Sequence, residues 1–236
     1  MNWKTVYRCG FICSLLFMAG IVLDIIVGNV TGGDVSALPR TAVDRYAEFR
    51  ENPILGLYHL DLLNLLNQII LLPVFFALFA AHRRVNLPGA GLALVIFITG
   101  SAVFICNNTA LSMLDLSRKF SLAESDSESL MLAAAGESLL ARGAHGSLGA
   151  FTGFLLPTIG NLIMALVMFS GRIFSRTTAW LGISGTILMV LYMILVTFIP
   201  SSQRFAIVIA MPGGLLTLAW MVCYTIRLNE LAVGKN

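Results

Sequence analysis

Residues 54–81 form an apolar stretch that carries Asp61, Asn64, Asn67 and Gln68 at helical spacing, with His59 just ahead of them. At 100° per residue, Asp61 and Gln68 point almost the same way, Asn64 lies beside them and Asn67 extends the stripe. His59 falls on the far side of the same helix. A carboxyl among amides can hold a cation, hydrogen-bond a head group or pass a proton. Such groups are costly in hydrocarbon, so they face a bundle interior or a watered cavity, and Asp61 there needs a partner or a proton.

The same end of the molecule collects further polar groups. Asp24 sits about one turn inside its apolar segment, Asn107 and Asn108 close another, and Thr152, Thr158 and Asn161 lie along a fourth. The opposite ends carry almost nothing comparable. We therefore expect a polar cavity in the outer half of the chain's membrane region, lined by Asp24, His59, Asp61, Asn64, Gln68, Asn108 and Asn161. The plainer alternative is packing: amides between membrane helices serve as glue worth ~0.6–2 kcal/mol each without any ligand.

Other chemistries fit less well. His59 and Asp61 could ligate a metal with Asp24 and His145, but the two point roughly 160° apart on a regular helix, and no His-x3-His or Cys-x2-Cys spacing is present. Two axial histidines for haem would need matched depth, whereas His59 and His145 belong to one side and His82 to the other. No G-x-S-x-G-type motif supplies a nucleophile. The expectation is no metal, no cofactor and no assigned catalytic residue.

The elements that must position these groups follow from composition. With 58% hydrophobic and 11% charged residues, the chain reads as a multi-pass membrane protein. The four cysteines make no disulfide framework, and the scattered bases of a +3 chain make no nucleic-acid surface. Six apolar segments cover about 7–28, 54–81, 90–113, 148–170, 178–199 and 205–226, each long enough to cross ~30 Å of hydrocarbon. The first resembles a signal peptide, with Val35-Ser36-Ala37 as a candidate cut, but its length favours an uncleaved anchor. The fold expected is an all-α integral membrane bundle of six transmembrane helices forming a single domain over 1–236.

Short amphipathic helices are expected in the two long outer loops. Thr41 with Asp44, and Ser125 with Glu128, have capping-box spacing, while Asn52-Pro53 restarts the chain. Gly149-x3-Gly153 has the small-residue spacing that lets membrane helices approach, and Pro73, Pro157 and Pro212 interrupt three spans. A weak parallel repeat superposes the second and third segments on the fourth and fifth, with Asn67 on Asn161 and Gly91 on Gly185.

The connections differ in charge. The termini with the 82–89 and 171–177 loops carry eight bases and one acid, against seven bases and nine acids on the other side. By the positive-inside rule both termini are cytoplasmic, in the cell (inner) membrane.

The stretch SGRIFSRTTAWLGISGTIL (170–188) and the exit ALFAAHRRVN (77–86) resemble a family of small bacterial multi-pass proteins grouped under a domain of unknown function. The resemblance implies about six spans and brings no substrate, cofactor or catalytic residue. The outer connections here are longer than that family leads one to expect. Besides the bilayer itself, the partners expected are a small molecule, lipid head group or ion bound or transported through the cavity. An accessory or assembly subunit docked on a membrane-protein partner is the alternative. An intramembrane enzyme using Asp61 or His59 as acid or base comes third.

Overall fold

The computed structural model describes residues 2–30, 41–144, 147–199 and 202–234, the side chains of 203 and 204 excepted. Val35-Ser36-Ala37, His145, Gly146 and Lys235 therefore lie outside the described residues. Among the described residues ten helices follow in order: α1 Trp3–Val30, α2 Ala42–Glu51, α3 Pro53–His59, α4 Leu62–His82, α5 Leu87–Asn107, α6 Ala110–Ser121, α7 Asp126–Gly143, α8 Leu148–Gly171, α9 Arg176–Phe198 and α10 Gln203–Val233. The protein is an all-α membrane bundle with six apolar spans.

The six long helices close into a ring. α1 packs on α4, α4 on α5, α5 on α8, α8 on α9, α9 on α10, and α10 returns to α1. α5 and α8 make the closest pair, because Gly153 lies against the Phe104 backbone and Gly160 against Phe97 and Ala93. Small residues let the two backbones approach, and in lipid that approach provides dispersion contacts that the hydrophobic effect does not. The open side of Gly149 faces the Arg142 carbonyl at the end of α7 rather than the α5 backbone.

The two long connections build a cap. α2 packs on α3, α6 and α7, and this group has its own small core of Tyr46, Phe49, Leu60, Met113 and Leu140. Four helices make the cap where sequence indicated two. Three of these starts are where the side chains placed them: Thr41 accepts from the Asp44 amide, Asn52 from Leu55 and Ser125 from Glu128.

Two of the expected spans are divided. The helix expected over 54–81 breaks after His59, with Asp61 in the left-handed region at φ 62° before α4 begins. The segment over 90–113 ends at Asn107, and α6 starts at Ala110. Asn108 explains why both breaks are tolerated beside a membrane. Its Nδ2 donates to the Leu60 carbonyl at 3.0 Å, and its side-chain oxygen accepts from the Ala110 amide at 3.1 Å. Backbone groups freed by a break must find such partners away from water.

Burial differs between the two ends of the ring. In α1 the buried residues are Val6, Gly10 and Ser14, and in α9 they run from Thr178 to Thr186, all in the half next to the basic loops. In α4 they begin at Asn67. The capped halves of these three helices are half-buried or exposed.

Candidate functional site

α3 and α4 meet at Asp61, and the break sets what Asp61 can touch. Leaving the helix at φ 62° suits aspartate, one of the few residue types besides glycine that adopts this conformation readily. The Asp61 carboxyl accepts a hydrogen bond from Asn64 Nδ2 at 3.0 Å. From α9, the Tyr192 hydroxyl lies within electrostatic reach of the same carboxyl.

Tyr58 joins this group to α1. Its hydroxyl donates to the Asp24 carbonyl at 3.1 Å. Its pKa is pushed up to about 12, first by burial, then by its hydrogen bond to Asp24 and by the carboxyls of Asp24 and Asp61. Asp24, Tyr58, Asp61, Asn64 and Tyr192 thus come together from α1, α3, α4 and α9. Two carboxyls and two phenols are acceptors and weak donors, a set suited to a cation or to a ligand rich in hydroxyl or amine donors.

The other expected site residues go elsewhere. Gln68 lies one turn further along α4, but its Nε2 donates across to Ser101 Oγ on α5 at 2.7 Å, and Ser101 in turn donates to the Phe97 carbonyl. Asn67 is buried on the opposite side against Gly20 of α1. Asn108 is occupied by the two chain breaks described above. Asn161 is half-buried and makes no side-chain hydrogen bond among the described residues; it sits one turn before Ala165, which meets Gly182 of α9. That register turns Asn161 toward α9.

His59 enters the cap instead. Its Nδ1 lies 2.5 Å from Glu48 Oε1, and the other Glu48 oxygen takes Arg45 Nη1 at 3.0 Å. Arg45 is 5% exposed, so the three side chains form a polar network inside the cap that ties α3 to α2. Beside it, the Tyr46 hydroxyl donates to the Leu132 carbonyl, and burial, followed by the nearby Glu137 carboxylate, raises its pKa. Arg142 clamps the cap to the bundle: it donates to Asn107 Oδ1 and to the Cys106 carbonyl, and Asn107 donates to Gly149. A basic side chain at the carbonyl end of α5 also meets a favourable dipole.

With this geometry in place, comparison with known proteins supplies a family. The model of a family described as Domain of unknown function (DUF4386) matches residues 12–223. The chain belongs to that family. Neither the curated proteins nor the solved structures contain a match. In this DUF4386 chain the match runs from the first span to the last, so it takes in both the capped polar group and the basic end.

Two site residues were not legible as such in the sequence. Tyr192 stands in VLYMILV and reads as one more apolar position, and Tyr58 stands next to the more conspicuous His59. The available signal was chemical: a tyrosine inside a span has a hydroxyl that must find a partner.

Proposed function

We propose that the protein binds or transports a small molecule, lipid head group or ion at a polar site in the capped half of the ring. Asp61 is its principal group, with Tyr58, Asn64, Asp24 and Tyr192 around it and Asn161 deeper on the α8 wall. The observation that carries the reading is the interrupted helix. A span that breaks beside the membrane at an aspartate, and gathers polar side chains from four elements there, is how membrane proteins build midspan and near-surface ligand sites. The packed basic end below it would serve as the closed floor. The charge asymmetry of the connections supports placing both termini in the cytoplasm of a bacterial cell, with the cap outside the inner membrane.

The test compares the wild type with Asp61→Asn after purification from native membranes. Mass spectrometry of the extracted small molecules should find a compound retained by the wild type and lost from the variant. The same extract added back should raise the melting temperature of the wild type alone. Identical retention and identical melting would remove the binding reading. Labelling of a Ser129→Cys variant in intact cells by an impermeant thiol reagent should succeed if the cap is outside.

A second reading has its own observation. α6 and α7 border an open groove of about 580 Å³ lined by Leu111, Leu116, Leu139, Ser112 and Asp115. Leu130 and Met131 add exposed apolar surface on the same cap, at 73% and 67%. An accessory subunit would use this face to dock a membrane-protein partner. A protein recovered at fixed ratio, with Asp61→Asn silent, would favour that role.

A further inference from the structure

At the end opposite the cap, α8, α9 and α10 enclose a groove of about 430 Å³ that the reading above does not use. We propose that it binds a phosphate group, presented as the head group of an anionic membrane lipid.

Arg172 and Arg227 stand on two walls of the groove, and Ser175 and Thr178, in the first turn of α9, form a third. Arg172 ends α8, is exposed, and its guanidinium makes no hydrogen bond or ion pair among the described residues. Arg227 is held in place: Nε donates to the Ile173 carbonyl at 3.0 Å and Nη1 to Glu230 at 2.8 Å. Its Nη2 donors are used by neither bond. Glu230 lines the groove as well, but its charge is engaged by Arg227, so the two arginines leave one positive charge in excess. The start of the 23-residue α9 adds the positive end of a helix dipole. Guanidinium groups suit phosphate because their fork of donors matches its oxygens.

Depth and lining point to a lipid as the carrier of that phosphate. Trp180 of α9 is 56% exposed and makes an edge contact with Phe169 of α8, ring centroids 5.4 Å apart. The Arg176 guanidinium sits 5.9 Å from the same Phe169 ring. Exposed tryptophan next to arginine marks the head-group layer, and these residues occupy the same ends of α8 and α9 as the groove. The groove has an apolar lip as well: Ile226, at 57% exposure, and Cys223. Arginines inside and an apolar edge outward fit a molecule with a phosphate at one end and acyl chains at the other.

The experiment uses the full-length protein in mild detergent and follows melting temperature and native mass spectra. Phosphatidylglycerol, phosphatidylcholine and inorganic phosphate are titrated separately. Phosphatidylglycerol should stabilise saturably and remain bound, and phosphatidylcholine should not. Arg172→Gln, which removes no internal bond, should weaken the apparent affinity by about tenfold, the size of one charge-assisted contact. Arg84→Gln, an exposed base of the α4–α5 loop away from the groove, should change it less than twofold. If inorganic phosphate reproduces the stabilisation and Arg172→Gln abolishes it, the phosphate site stands and its source is the free anion. Equal losses in Arg172→Gln and Arg84→Gln, or no saturable stabilisation by either phosphate source, would overturn the proposal.

Discussion

The basic end of the ring and its capped end are held together by different forces. At the basic end, apolar surfaces interlock. Phe75 and Phe97 stack with centroids 3.9 Å apart, Trp220 and Tyr224 meet edge-on, and Trp220 Nε1 donates to Met168 Sδ at 3.2 Å. His82 is buried there against Phe174, its Nδ1 donates to the Leu78 carbonyl, and its Nε2 has no hydrogen-bond partner among the described residues. At the capped end the joints are polar: Asn108 between two chain breaks, Arg142 across three helix ends, and the Arg45–Glu48–His59 network. Dispersion packing resists opening along its whole length, whereas a polar joint concentrates its strength in a few bonds. If the capped end admits a ligand, as proposed, joints of the second kind suit it better.

Trp220→Ala would break the comparison at its apolar end and should have the largest effect. The ring is 1% exposed and touches Gly182 as well as Met168. Lipid cannot refill an interior void, so a loss of about 3–5 kcal/mol is expected from the cavity and the missing contacts. Thermal unfolding in detergent would show the whole bundle melting earlier.

Glu48→Ala tests the cap from within. It leaves Arg45 buried without a counter-charge and His59 without its partner, and the expected cost is about 3 kcal/mol. The loss should be confined to the cap, so limited proteolysis would cut within α2 and α3 while the ring helices keep their protection. Asn108→Ala comes next. It removes the donor to Leu60 and the cap on α6, for about 1–3 kcal/mol. Hydrogen exchange should rise at residues around both chain breaks and stay unchanged near Trp220.

How much of this contrast was legible in the sequence depended on which force was at work. The six spans follow from hydropathy alone, since the bilayer rewards the same property throughout. The cap starts were legible too, because Thr41, Asn52 and Ser125 satisfy helix-end amides within three residues of themselves. The break at Asp61 was not. LYHLDLLNLL contains neither glycine nor proline and keeps an apolar helical pattern through the very residues where the helix stops. Asn108, more than forty residues later, donates to the Leu60 carbonyl at the break, and no local signal encodes that partner. For the same reason the amide stripe of α4 looked continuous. The structure sends Gln68 to Ser101 and Asn67 to Gly20, leaving Asn64 with Asp61.

Tyr58→Phe has the smallest effect and sharpens the comparison most, because it addresses the site rather than the scaffold. Loss of the bond to the Asp24 carbonyl should cost about 1 kcal/mol at neutral pH. The pH dependence is more specific. In the unfolded chain a tyrosine ionises near 10, whereas burial and the carboxyls of Asp24 and Asp61 hold Tyr58 at about 12. Between those values the folded protein retains a proton that the unfolded chain has lost. The contribution of Tyr58 is therefore complete below pH 10 and declines as pH rises toward 12. A wild-type melting temperature that falls more steeply over that window than that of Tyr58→Phe would show the phenol held between the two carboxyls. Parallel curves would mean that Tyr58 faces water, and the polar group at the helix break would lose the residue that links α1 to α3.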